Sequence, residues 1–168
     1  MSSRQSETLV SVDFFTTTHR ISGQVQTGPR PFSDLLNDQS NSYLLVYNVY
    51  VSPLSRAAEV GDHAPVAYLS KENLCFAIVS SREIRAPDRS RYSGQDHEAL
   101  ITMPRFEARG MVAGPRRLDI RSFSPTALDP FVVLIDASVQ VADDPEIAFS
   151  GEAILVNRAR LESYCLAE

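Results

Sequence analysis

The sequence predicts an all-β protein in which one small five-stranded unit is written twice. Short apolar stretches rich in β-branched and aromatic residues, such as "VSVDFF" and "YLLVYNVYV", have strand composition and, in places, the period-two alternation of half-buried strands. Proline and glycine collect between them, at 28–31, 53, 61–65, 104, 114–115, 125, 130 and 145, as punctuation. The phrase "HRISGQVQTGPR" at 19–30 returns as "FEARGMVAGPR" at 106–116.

The repeat extends beyond that phrase. Gly23 and Gly110 stand 87 positions apart, each followed two residues later by a valine, Val25 and Val112, and then by Gly-Pro-Arg. "YLLVYNVYV" at 43–51 matches "FVVLIDASV" at 131–139 with a spacing of 88, which sets Asn48 on Asp136. "YLSKENL" at 68–74 matches "LVNRARL" at 155–161 with a spacing of 87. Three blocks in one order and nearly one spacing make tandem duplication the expectation.

Taken in order, the first unit is expected to hold strands at 9–15, 19–26, 42–52, 64–70 and 73–80. A short helical turn near 33–38 has Ser33 or Asp34 as its cap and buries Leu35 and Leu36. The second unit places strands at 99–103, 105–113, 130–141, 151–157 and 160–166. Segments 53–63 and 142–150 become loops, and Gly23 and Gly110 mark the bend at which each sheet turns its corner. Each unit is expected to close as a small barrel around its own apolar interior, 8–82 and 99–168. Between them 83–98 loses almost all apolar residues and reads as a solvated tether, with Arg82, Arg85, Arg89 and Arg91 in or beside it.

Composition bounds the function classes. With 43% hydrophobic and 22% charged residues the chain affords a packed core. No apolar run approaches the roughly 20 residues of a membrane-spanning helix, and the start "MSSRQSETLV" lacks a signal-peptide core, so a cytoplasmic location is the expectation. A net charge of −5 disfavours nonspecific attraction to nucleic acid. Cys75 and Cys165 lack metal-site spacing and are expected as half-buried thiols in strands.

Catalytic patterns are absent. The sequence has no G-x-S-x-G, no phosphate-binding G-x-x-x-x-G-K-[ST] and no G-x-G-x-x-G. His19 meets Phe106 in the repeat, and His63 and His97 are expected in polar loops, beside aspartates that an extended chain points apart. The acidic run Asp143, Asp144, Glu146 lacks calcium-loop spacing. No metal, cofactor or enzymatic activity is expected.

The order of strand, bent strand "RISGQV", long strand "YLLVYNVYV", loop and "YLSKENLCFAIV" resembles Sm-like and related SH3-like barrels. That resemblance implies RNA binding or ring assembly, with a pocket near the turn between the last two strands. By position this turn carries Lys71 and Asn73 in the first unit, and Asn157, Arg158 and Arg160 in the second. The segment "GPRPFSDLLN" looks like the R-x-S-D-x-L-N element of small bacterial β-domains with no assigned activity, borne here by Arg30, Ser33, Asp34, Leu36 and Asn37. The second unit keeps the arginine and loses the rest. Arg117-x-x-x-Arg121 with Asp136-x-Ser138 is similar to a cyclic-dinucleotide-binding PilZ pattern, but Val141 stands where that pattern has glycine.

The reading that follows is a non-catalytic protein-interaction or assembly module. A protein partner, or a second copy in a homo-oligomer, would add its strand to an open edge, with the ends of "YLLVYNVYVSP" and the final "LESYCLAE" as the exposed candidates. The alternative is a nucleic-acid or nucleotide binder using a basic patch of Arg116, Arg117 and Arg121 together with Arg158. The acidic balance weighs against it.

Overall fold

A computed structural model describes residues 8–85, 96–113 and 129–166. The elements are β1 (Leu9–Phe15), β2 (His19–Gln26), α1 (Phe32–Asn37), β3 (Tyr43–Pro53), β4 (Asp62–Ser70), β5 (Phe76–Val79), β6 (Asp96–Met103), β7 (Phe106–Ala113), β8 (Phe131–Val141), β9 (Asp144–Asn157) and β10 (Ser163–Leu166). The protein is all-β, with α1 as its one short α-helix among the described residues. That helix falls where the sequence sets a helical turn, but it starts at Phe32 after Pro31, so neither Ser33 nor Asp34 caps it, and Leu36 is buried while Leu35 is only partly so. Each expected strand overlaps an observed one, although β6 begins at Asp96 inside the expected tether and β9 begins at Asp144 inside an expected loop.

The ten strands form one antiparallel sheet in the order β10-β6-β7-β8-β9-β5-β1-β2-β3-β4. Its pairings recur between the halves at the sequence spacing. Val12 opposes Gly23 as Ala99 opposes Gly110, Phe14 opposes Ala77 as Ile101 opposes Tyr164, and Tyr43 opposes Ser70 as Phe131 opposes Asn157. The register of β2 on β3 slips between Ser22 and Gln24, and that of β7 on β8 between Arg109 and Met111, so both slips fall at the repeated glycine. Opposite each slip a residue takes the left-handed conformation, Asn48 at φ 51° and Asp136 at φ 48°. Asparagine and aspartate tolerate that region better than other side chains. A Cβ on Gly110 would lie 2.8 Å from the Ala137 Cβ, so the bend requires the bare backbone.

Two self-contained barrels are not what forms. The sheet is open, and it runs without a break from one half into the other through β5 and β9, which pair from Phe76↔Val156 to Val79↔Ala153. A strand buried on both faces loses its alternation and reads as a continuous apolar run. "FAIV" in β5 and "AILV" in β9 are such runs, and Ala153 to Val156 are fully buried.

The core divides into two apolar clusters, and each draws on both halves. Phe131, Ala153 and Leu155 enter the cluster built around Val12, Phe14, Phe32, Leu36 and Val46. Phe15, Leu54, Cys75 and Phe76 enter the one built around Ile101, Phe106, Leu134 and Val139. Alternate residues of β9 therefore serve different clusters, Leu155 the first and Ile154 and Val156 the second. Phe15 stacks on Phe76 at 4.4 Å between ring centroids, and Phe106 meets Phe76 edge-on at 5.0 Å. Aromatic contact at these distances adds about 0.5–1.5 kcal/mol per pair beyond the buried area.

The expected edges also change. β3 is paired on both sides, by β2 and β4, and is no edge. Among the described strands the outermost are β4 and β10. Cys75 is buried ahead of β5, whereas Cys165 is exposed in β10, so the two thiols do not share one environment.

Candidate interaction surfaces at the joint and the free edges

The turns singled out from the sequence meet at the joint. Lys71–Asn73 forms a 3-10 turn between β4 and β5, and Arg158–Arg160 forms one between β9 and β10. Pairing of β5 with β9 sets the first beside the end of the second's strand. Asn157, buried at the end of β9, donates through Nδ2 to the Leu74 carbonyl at 2.8 Å and accepts from the Ala159 N–H at 3.0 Å. Arg160 donates through Nε and Nη2 to the Glu72 carbonyl at 3.2 and 3.1 Å and through Nη2 to Asn73 Oδ1 at 3.3 Å.

Lys71 is not a solvated turn cation. It is buried, and Nζ donates to the carbonyls of Leu35 and Asp38 at 2.7 and 2.9 Å, closing the C-terminal end of α1. Burial pushes its pKa down, against the opposing pull of Asp38. Burial likewise lowers Arg158, whose Nε donates to the Asp129 carbonyl at 3.1 Å. Lys71 Nζ and Arg158 Nε thus both donate to backbone carbonyls at a chain junction.

The residues of the "RPFSDLLN" element have a similar role. Asp34 receives two bonds from Arg85, one from Nε at 2.9 Å, and these hold its carboxyl below the usual range despite some desolvation. Ser33 Oγ accepts from the Arg85 N–H at 2.9 Å, Leu36 is buried, and Arg30 lies 3.6 Å from Asp38. Asn37 reaches across the joint, where Oδ1 accepts the N–H of Phe131 at 2.9 Å. Arg85, assigned from sequence to a solvated tether, is thus fixed to α1. Arg89, Arg91 and the patch Arg116, Arg117 and Arg121 lie outside the described residues.

A cleft of about 340 Å³ opens at the joint, floored by Leu36 and Phe131 and flanked by Asp38, Lys71, Asn157 and Arg158. A second, of about 380 Å³, lies over β1, β2 and β3, where Asp13 is already held by Arg20 at 2.9 Å and Ser22 at 2.5 Å. His63 bonds Asn48 at 2.7 Å. No cluster of three metal-ligating side chains occurs among the described residues, and no described helix is long and apolar enough to cross a membrane.

The β4 edge beyond Pro65 has a composition that edges normally avoid. Exposed strand edges are commonly blunted by lysine, proline or inward charge. β4 has Pro65, after which "VAYL" at 66–69 carries no charge, and Val66 and Tyr68 are 41% and 72% exposed. Tyr43, opposite Ser70 on β3, is 54% exposed. By pairing position, the counterparts of Tyr43, Val66 and Tyr68 in the second half are Phe131, Ala153 and Leu155, all buried against the first half. Tyr164 on β10, the other outermost described strand, is partly covered, and burial pushes its hydroxyl up to about 12. Sequence reasoning named β10 but missed β4. The missed signal is the pairing of apolar Val66 and Tyr68 with a strand-blocking proline at 65.

No protein-family model matches the chain, and comparison with curated proteins and with solved structures finds no match for it.

Proposed function

We propose that the chain is a non-catalytic interaction or assembly module, built from two similar five-stranded units, which takes a strand of a protein partner onto its open sheet edge. The observation that carries this reading is the exposure of Tyr43, Val66 and Tyr68 at positions whose counterparts Phe131, Ala153 and Leu155 are buried by an added unit. An unpaired ladder beside an uncharged apolar strand offers main-chain hydrogen bonds for affinity and side chains for selectivity. The reading also accords with Lys71, Asn157 and Arg160 serving as fasteners between turns.

The test is a photo-crosslinking residue at Tyr68, introduced into the chain in its native cell, with the same residue at Val60 as control, an exposed position in the loop before β4. A discrete adduct from Tyr68 and none from Val60 is the expected result. Absence of any adduct at Tyr68 overturns the reading.

A further inference from the structure

We infer that the occupant of the β4 edge is the β10 edge of a second copy of this chain, paired in the register that β5 and β9 already use inside one copy. The inference rests on the proposed edge function and names its partner. The internal joint is the template. In it β5 of the first half pairs antiparallel with β9 of the second, Phe76↔Val156, Ala77↔Leu155, Ile78↔Ile154 and Val79↔Ala153. β10 occupies in the second half the place of β5 in the first, beside the strand that opens the unit. β4 occupies in the first half the place of β9 in the second, beside the long bulged strand. The two edges left over are therefore the counterparts of the two edges joined.

Transferring the register sets Ser163 opposite Leu69, Tyr164 opposite Tyr68, Cys165 opposite Ala67 and Leu166 opposite Val66 of the neighbouring copy. Both stretches, "SYCL" and "VAYL", are uncharged, so no like charges meet. Pro65, which cannot donate to a ladder, lies just beyond the last of these pairs, and the internal ladder ends at the matching place, Ala153. The Tyr68 and Tyr164 pair is bulkier than Leu155 on Ala77, and directly opposed aromatic residues are a favourable cross-strand pair.

The outer contact lacks the fasteners of the inner one. Where Asn157 reaches the Leu74 carbonyl, the neighbour offers the shorter Ser70, and where Arg160 reaches the Glu72 carbonyl it offers Asn73. Backbone pairing and apolar contact alone then hold the copies, which makes the association reversible and concentration-dependent. Each chain retains one edge of each kind, so addition runs head to tail and does not stop at two copies unless the run closes on itself.

Light scattering across a concentration series is expected to show mass rising in whole-chain steps. The double substitution Val66→Lys and Tyr68→Lys is expected to return the single-chain mass with an unchanged circular dichroism spectrum. Ala67→Cys is expected, on mild oxidation, to link copies through native Cys165, because directly opposed strand positions lie within disulfide reach. Adding Cys165→Ser abolishes the link. The disulfide arm decides the matter even if the lysine variant fails to fold. A single-chain mass at every concentration, assembly indifferent to the lysines, or Ala67→Cys copies linking to one another without Cys165 each overturn the inference. An adduct at Tyr68 in the cell whose mass is not a multiple of the chain overturns it while leaving the edge function standing.

Discussion

Asn157 donates its side-chain amide to the carbonyl of Leu74 at 2.8 Å, so the last residue of β9 closes the turn that leads into β5. Asn157 is buried, and its amide also lies 3.4 Å from the Lys71 carbonyl. Replacement by alanine leaves buried acceptors without a donor, and each costs about 1–3 kcal/mol. Asn157→Ala is expected to lower stability by that order in denaturant unfolding. Asn157→Asp, which turns the donor into an acceptor, is expected to be at least as damaging near neutral pH.

Because each apolar cluster contains residues of both halves, the described sheet is expected to unfold in one step. Phe15 belongs to β1 yet stacks at 4.4 Å on Phe76 within the cluster of the second half. Phe15→Ala is expected to cost about 3–5 kcal/mol. Fluorescence labels placed in either half should report the same shifted midpoint. Separate midpoints would show that the halves fold independently.

The bends allow little room. A side chain at Gly110 meets Ala137 Cβ at 2.8 Å and the Ile135 carbonyl at 3.1 Å, atoms that cannot swing away. Gly110→Val is expected to destabilise by about 1–3 kcal/mol through overpacking, measured as a drop in the urea midpoint.

The Asp34 and Arg85 pair gives a pH dependence with a definite sign. The hydrogen bonds from Arg85 hold the folded Asp34 pKa below that of an ordinary aspartate. A depressed folded pKa contributes stability that is present above the unfolded value and is lost as pH falls through the folded one. The stability gap between the parent chain and Asp34→Asn is expected to be constant at neutral pH and to close in acid below about pH 4. A gap that persists unchanged at pH 2 would assign the effect to shape instead of charge.

The turn cations supply a discriminating measurement. Lys71 donates to Leu35 and Asp38, and Arg160 to Glu72. Lys71→Met is expected to lower thermal stability, and neither it nor Arg160→Gln is expected to alter retention on mixed RNA or DNA, which should be negligible even at low salt for a chain of net charge −5. Salt-sensitive retention that these substitutions abolish would favour the nucleic-acid alternative.

The sequence by itself determined the local structure. Alternation in "VSVDFF" placed β1, the spacing of Gly23 and Gly110 placed two bends, and "PFSDLLN" placed α1, because side-chain period and backbone permissiveness act over a few residues. Lys71, Asn157 and Arg160 were legible as turn residues, but their partners were not, since Lys71 binds a carbonyl 36 residues away and Asn157 one 83 residues away. Only the tertiary structure decided that β5 pairs with β9 and leaves β4 and β10 open. A strand ladder is made by backbone groups that every residue carries, so periodicity says which face is buried and not which edge is met. The continuous apolar runs "FAIV" and "AILV" carried a signal of two buried faces that the expectation of separate barrels passed over, and packing between halves determined what covered them.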